Sequence, residues 1–268
     1  MELKMFIARW GMNEPLPELF AKAADAGYTG IECGAPGGSE EAAFRSLLKE
    51  RSFDYIAQIH SAGDDLIANF RHNAERAASF APTLIVSHSS RHGLSFDDNR
   101  RFFEQALIVE REIGIPVAHE THRGRAMFTP WTTAELLREF PELRITADFS
   151  HWCNVCESLL EDQKAHLDLA MSRTIHIHGR VGHREGPQVS DPSAPEYAEE
   201  LRVHLGWWLE IARRRRAEGA PVLTFNPEFG PPGYMPTLPH TRQPLADLWK
   251  VRLWMKRRFE QEFADASL

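Results

Sequence analysis

Apolar residues in this chain fall in short runs, and each run is followed by a segment whose apolar positions recur three and four residues apart. Such runs predict buried strands, and such segments predict amphipathic helices. The first pair is a strand over residues 3–9 and a helix over 16–26 that stops at Gly27. A strand at 29–33 precedes a helix at 40–50, and a strand at 53–60 precedes a helix from 64 to about 80. The fourth strand, 83–88, leads to a helix that begins near Ser95-Phe96-Asp97-Asp98, a helix-start pattern, and ends at Gly114. The fifth, 115–120, leads to a helix at 131–140 with Thr132 or Thr133 as its cap and Glu135 near the capping-box position. The sixth, 144–148, is followed by a helix over about 155–171. A loop with Gly182, Gly186, Pro187, Pro192 and Pro195 separates the seventh strand, 174–178, from a helix at 196–217. The eighth strand covers 222–228, and a second irregular loop (230–239) leads to a last helix at about 244–263. Eight strand–helix units with short apolar strands predict an α/β fold, a single (β/α)8 TIM barrel over residues 1–268. A doubly wound open sheet is the alternative. It would carry a glycine-rich phosphate turn after its first strand, and Trp10-Gly11-Met12-Asn13 is not one.

The predicted strands end in chemistry. The runs PVAHETHRG (116–124), RITADFSH (144–151), TIHIHGR (174–180) and VLTFNPEFG (222–230) each pass from apolar residues to a carboxylate or an imidazole. Barrel enzymes build their sites at the C-terminal ends of the strands. There this chain carries His60, His88, Glu120, Asp148, His176, His178 and Glu228. Alternation puts Glu120 on the face of Ala118, Asp148 on that of Thr146, and His178 on that of His176 but nearer the mouth. Glu120, Asp148, His178 and Glu228 form a mixed oxygen and nitrogen set suited to Mn2+, Mg2+, Co2+ or Zn2+. Without a cation, three carboxylates converging there would repel one another.

Other polar groups surround that mouth. His151, three residues beyond Asp148, and His122, Arg123 and Arg125, just beyond Glu120, are candidate donors. Arg180 suits a substrate oxygen or a developing enediolate. His183 and Arg184 lie on the long loop and are expected to cover the site. Trp10, Trp131, Trp152 and Tyr234 are candidates to wall a sugar, whereas Glu32, at the end of the second strand, is read as structural. There is no nucleophile elbow, P-loop or GxGxxG, and Ser87, Ser89 and Ser90 form no recognisable triad.

Composition narrows the partners. A net charge of −7 offers no basic excess for nucleic acid, and the basic run at 213–216 closes a helix, where it complements the dipole. No apolar stretch approaches the ~20 residues of a membrane span, and the first residues lack a signal-peptide pattern. Three cysteines, an odd number, fit a reducing compartment, so a cytoplasmic location is expected. The lone Cys153-x-x-Cys156 has no second pair to make a zinc ribbon and reads as small apolar residues opening a helix, with a redox motif as the alternative.

The motifs HETHRGR (119–125), ADFSHW (147–152), HIHGRVG (176–182) and PEFGPPGYMPT (227–237) resemble the xylose isomerase-like TIM barrels, over essentially the whole chain. That group includes sugar isomerases, ketose 3-epimerases, inosose dehydratases and apurinic endonucleases. The resemblance implies one divalent metal, Mn2+ before Mg2+, Co2+ or Zn2+, held by Glu120, Asp148, His178 and Glu228. It implies Glu120 and Glu228 as the acid/base pair, one on each face of the substrate carbon. It also implies His151 and either Arg180 or Arg184 as substrate contacts. The chemistry implied is proton abstraction next to a carbonyl, with the metal as Lewis acid to the enediolate. The endonuclease branch carries extra zinc ligands where this chain has His60 and His88, but GRVGHRE lacks that branch's Asp-x-His pair. His60 and His88 are therefore read as substrate donors, with a second metal as the alternative. The expected protein is an isomerase or epimerase of a free or modified sugar. A keto-sugar or keto-cyclitol dehydratase, a zinc phosphodiesterase and a non-enzymatic sugar-binding barrel are the alternatives. The expected partner is a small-molecule sugar, and a homodimer is the assembly allowed for.

Overall fold

A computed structural model describes all 268 residues, Met1–Leu268. The strands and helices alternate as β1 (Glu2–Ala8), α1 (Leu16–Asp25), β2 (Gly30–Cys33), α2 (Glu40–Arg51), β3 (Asp54–His60), α3 (Leu66–Ala78), β4 (Leu84–His88) and α4 (Phe96–Ile113). They continue as β5 (Val117–Glu120), α5 (Pro130–Glu139), β6 (Ile145–Ala147), α6 (Ser150–Cys156), α7 (Lys164–Met171), β7 (Thr174–His178), α8 (Ala198–Ala217), β8 (Val222–Asn226) and α9 (Leu248–Asp265). The strands are parallel, pair in sequence order, and close through β1 and β8 into the predicted barrel.

Several details differ from the sequence expectation: β8 ends at Asn226 rather than at residue 228, and α9 begins at Leu248 rather than at about residue 244. The segment after β6 is two helices, because Glu157 adopts a left-handed φ of 50° and ends the first after only seven residues. The cap of α5 is Thr129, not Thr132 or Thr133: its hydroxyl accepts from the Thr132 N–H at 3.2 Å, and Pro130 occupies the first turn. Ser95 caps α4 as expected, accepting from the Asp98 N–H.

Period-two alternation divides the core. Outward residues such as Met5, Ile7, Ile85 and Val117 pack against the helices in the main cluster, while Phe6, Ile56, Leu84, Val86 and Ala118 fill the barrel interior. A Cβ on Gly30 would stand 2.3 Å from Phe6 Cε1, so the ring needs the missing side chain. One or two positions further along the same inward faces the residues turn polar: Glu32, Gln58, His60, His88, Glu120, Asp148, His178 and Asn226. The barrel is therefore apolar inside at one end and ionic at the other. The fully buried Arg252 of α9 ties that end together, donating to the carbonyls of Ala8, Trp10 and Phe229.

Candidate metal centre and active site

Glu120, Asp148, His178 and Glu228 converge at the C-terminal ends of β5 to β8, with one ligand atom from each lying within 4.8 Å of the others. All are buried. His178 Nδ1 lies 3.4 Å from Glu120 Oε1 and 3.1 Å from Glu228 Oε2. Asp148 is anchored from behind: its N–H donates to Thr121 Oγ1 at 2.9 Å, and the Ser150 N–H donates to its Oδ1 at 3.2 Å. Arg180 donates through Nε to Asp148 Oδ2 at 3.1 Å and through Nη2 to both Asp148 and Glu228.

The donor set fits a divalent cation. Both carboxylate oxygens of Glu120 and Nδ1 of His178 are buried without a well-formed hydrogen bond, their contacts being charge pairs with His88, with Glu228 and with one another. Orphaned buried polar atoms are rare and call for a missing partner. The electrostatics agree. Burial would lower the affinity of His178 for a proton, but the carboxylates of Glu228, Glu32 and Glu120 outweigh it and raise its pKa well above the usual imidazole range. Burial, with Glu120 and Glu228 nearby, raises the pKa of Asp148 against the pull of Arg180. The centre of this cluster is a place that demands positive charge.

Above it lies a cavity of about 240 Å3 lined by Trp10, Gln58, His60, His88, Glu120, His122, Arg180, Glu228 and Tyr234. Gln58 Nε2 donates to Glu228 Oε1 at 3.2 Å and lies 3.3 Å from His88 Nε2, which also faces the Glu120 carboxylate. His60, His88, His122 and His151 form an arc, with successive ring centroids 4.2, 4.9 and 4.0 Å apart. Burial first, with neighbouring positive groups adding to it and the Glu120 carboxylate opposing it, depresses His60 to about 4 and His122 to about 3, and holds His151 well below its ordinary value. These three imidazoles are neutral at pH 7. The Gly124 N–H donates to His122 Nδ1 at 3.2 Å, so the ring hydrogen sits on Nε2, 3.3 Å from the Tyr234 hydroxyl. His122 therefore offers a donor, and its tautomer is the wrong one for a metal ligand at Nε2. His151 is wholly buried, 3.6 Å from Asp148, and neither of its nitrogens has a hydrogen bond.

Trp10 and Tyr234 meet edge to face at 5.1 Å and wall the cavity, with the Arg180 guanidinium 4.7 Å from the Tyr234 ring. A Cβ on Gly230 would stand 2.2 Å from the Trp10 ring, so the glycine after Phe229 makes room for that wall. Trp131 is exposed and Trp152 is buried in the core, donating to the Met127 carbonyl, so neither reaches the cavity.

The structure does not bring Arg184 to the site. Its guanidinium pairs with Glu161 at 3.1 Å on the surface, because a tight turn closed by hydrogen bonds between His183 and Gly186 points it outward. His183 lies tilted beside Tyr197, ring centroids 6.3 Å apart, and is not among the residues lining the cavity. Two features were not singled out in the sequence, and a third, Glu32, was read there only as structural. Gln58 sits between Ile56 and His60 on the inward face of β3, and that alternation is the signal that could have found it. Glu32 bonds both His176 and His178 inside the barrel. The remaining one is a hydrogen-bonded Ser89–His119–Glu110 chain, with contacts of 2.6 and 2.9 Å. It lies between β5 and α4 against Phe70 and Phe103, with Ser89 and His119 buried, so no substrate reaches it.

Comparison with known proteins agrees with this architecture. The family model of the xylose isomerase-like TIM barrel matches residues 20–206, more than half of the chain, and the protein belongs to that family. A search of curated proteins finds no match. Among solved structures, a probable 3-DHS dehydratase, AsbF, involved in petrobactin synthesis in Bacillus anthracis is similar at 16% identity and a TM-score of 0.60, over 86% of this chain and 94% of its own. A family 2 AP endonuclease from Brucella melitensis is similar at 14% identity and 0.59, over 96% and 98%. A xylose isomerase-like TIM barrel protein from Mycobacterium smegmatis, in complex with magnesium, is similar at 10% identity and 0.62, over 98% and 97%. At these identities the likeness is one of fold.

Proposed function

We propose that this protein is a divalent-metal-dependent isomerase or epimerase of a small sugar or sugar derivative, acting by proton transfer at a carbon next to a carbonyl. The observation that carries this reading is the placement of Glu120 and Glu228 3.4 and 3.1 Å from His178 Nδ1, both lining one cavity. A bound cation, Mn2+ in this reading with Mg2+, Co2+ or Zn2+ as alternatives, would supply Lewis-acid stabilisation of negative charge on the substrate oxygens. The protein residues do the rest. One of the two glutamates accepts the proton, and the other, in its protonated form, delivers its own proton to the opposite face. Gln58 and Arg180 orient Glu228. The neutral imidazole of His122, carrying its hydrogen on Nε2, donates to a substrate hydroxyl. Trp10 and Tyr234 exclude water.

The cavity also bounds the substrate. About 240 Å3 is below the ~300–1,000 Å3 of pockets for drug-sized ligands and suits a monosaccharide. Arg180 is the one Lys or Arg lining it, and its guanidinium is engaged by Asp148 and Glu228. No free cation is left for a phosphate, which favours an unphosphorylated substrate.

A dehydratase acting on a keto-sugar or keto-cyclitol is the second reading. It is favoured by the same His122 Nε2–H, which can hydrogen-bond a departing hydroxyl while the glutamate that has taken the α-proton passes it to that group, which leaves as water. Metal content by elemental mass spectrometry, followed by incubation of Mn2+-loaded protein with aldoses and ketoses in D2O, tests both. One metal per chain and deuterium at the carbon next to the carbonyl of an isomer or epimer supports the first reading, and loss of water supports the second. Absence of any bound metal after addition of Mn2+ or Co2+ would overturn both.

A further inference from the structure

Glu32 is a carboxylate buried inside a barrel, 2% exposed, and absent from the cavity lining. It is not an orphan. Its Oε1 lies 2.8 Å from His178 Nε2, and its Oε2 lies 3.1 Å from His176 Nε2 and accepts from Asn226 Nδ2 at 2.7 Å. His176 is fixed in turn by Thr224, whose Oγ1 is 2.8 Å from its Nδ1. Burying a carboxylate and two imidazoles in a barrel core costs more than an apolar layer would. The same interior shows that apolar filling is available, with Phe6 of β1, Ile56 of β3, Leu84 and Val86 of β4 and Ala118 of β5 in place.

The two nitrogens of His178 face in opposite directions. Nε2 points to Glu32, and Nδ1 points to Glu120 and Glu228. An ionised carboxylate can only accept, so Glu32 requires a hydrogen on Nε2. A neutral imidazole with its hydrogen there presents a lone pair at Nδ1. We propose that Glu32 is a positioning residue for the metal centre: across the barrel from β2, it fixes the tautomer and ring orientation of His178 so that Nδ1 is the metal-binding atom. Carboxylates that hold a ligand histidine from behind in this way raise its basicity and fix its aim. Glu32 touches neither the cavity nor the reacting atoms. The proposal rests on the metal-dependent reading of the site.

The test is the affinity of the full chain for Mn2+ alone, by titration calorimetry, in wild type, Glu32→Gln and His176→Gln. A glutamine at position 32 keeps the shape but can offer its NH2 to His178 Nε2, turning the hydrogen onto Nδ1. Loss of such a supporting partner weakens metal binding by about 10–100-fold. The same loss is expected here, together with a changed visible spectrum of the Co2+-loaded variant as the nitrogen ligand is withdrawn. His176→Gln disturbs the same buried network from its other end. It is expected to lower thermal stability while leaving Mn2+ affinity and the Co2+ spectrum near wild type, which separates positioning from mere packing. Where Glu32→Gln does not fold, Glu32→Asp retracts the carboxylate from His178 and is expected to weaken Mn2+ binding in the same direction. A Glu32 variant that binds Mn2+ as tightly as wild type, with an unchanged Co2+ spectrum, overturns the positioning role and leaves the metal reading intact. A wild-type protein that binds no Mn2+ overturns both.

Discussion

Arg180 donates from a single nitrogen, Nη2, to Glu228 Oε2 at 2.9 Å and to Asp148, so that one guanidinium joins the carboxylates at the ends of β6 and β8. Both pairs are buried, and burial strengthens the field that each group feels. Removing one partner from such a pair costs about 3–5 kcal/mol, because the charges left behind are unpaired. In a chain of this size a kcal/mol is worth roughly 2–4 °C. Arg180→Gln is therefore expected to lower the melting temperature in EDTA by roughly 6–20 °C, with part of the loss recovered in excess Mn2+. Arg180→Lys recovers less than wild-type stability, since an ammonium lacks the planar fork. Calorimetry in EDTA decides the point: a Gln variant as stable as wild type would show that these contacts carry no weight.

Glu120 and Glu228 play equivalent parts in the proposed proton transfer, and the prediction is symmetric. Glu120→Gln and Glu228→Gln each remove a base while keeping the side-chain volume. General acid–base groups contribute about 10²–10⁴-fold. Each variant should lose turnover by about that factor, with circular dichroism unchanged, and deuterium wash-in from solvent should fall in parallel. Full activity in either variant removes that residue from the chemistry.

A ligand that binds only the folded state stabilises it by mass action, about 2.7 kcal/mol at a hundred times its dissociation constant. Mn2+ at that level should raise the melting temperature of EDTA-treated protein by roughly 5–11 °C. Asp148→Asn should abolish the shift. His60→Gln and His88→Gln should leave it in place, because neither side chain belongs to the four-residue cluster, although His88 faces Glu120. A shift that vanishes in the His60 and His88 variants would instead place a second metal at the ends of β3 and β4.

The barrel was legible because its signal is local. Each strand is a short apolar run, and each inward face can be counted off by twos, which is how Glu120, Asp148 and His178 fall on the same side as Ala118, Thr146 and His176. What the alternation could not reveal is who meets whom across the barrel. Glu32 and His178 are 146 positions apart on strands that do not pair, so a carboxylate ending β2 gave no hint of its imidazole partners. Arg184 failed for a different reason. Its spacing from His178 is suggestive, but the direction of a loop side chain is set by the turn at His183–Gly186, which no periodicity describes. The cap at Thr129 rather than at Thr132 or Thr133 follows from Pro130, which suits the first position of a helix and so puts the cap one residue before it.

His204 gives the last prediction, away from the metal cluster. It is wholly buried on α8, with Nδ1–H donating to the Glu200 carbonyl at 2.8 Å and Nε2 accepting from the Gly182 N–H at 3.2 Å. Both nitrogens are used by the neutral ring, and a second proton would have to displace the Gly182 contact. Burial accordingly lowers its pKa to about 4, against the opposing effect of the Glu200 carbonyl. The unfolded chain takes up a proton on this residue near pH 6.5, whereas the folded chain refuses it until about pH 4. Unfolding therefore binds a proton throughout that interval. The stability that depends on the neutral ring is fully present above about pH 6.5 and is lost as the pH falls toward 4, by about 3 kcal/mol in all. His204→Gln should be less stable than wild type at pH 7, having lost a good hydrogen bond. Its stability should nevertheless fall less steeply in acid, by about 1.4 kcal/mol per pH unit between the two values. Urea denaturation at intervals from pH 7 to pH 4 reads the two slopes directly. Parallel curves for the variant and wild type would mean that His204 takes up its proton in the folded state at an ordinary pH, and that the contact with Gly182 does not hold the ring neutral.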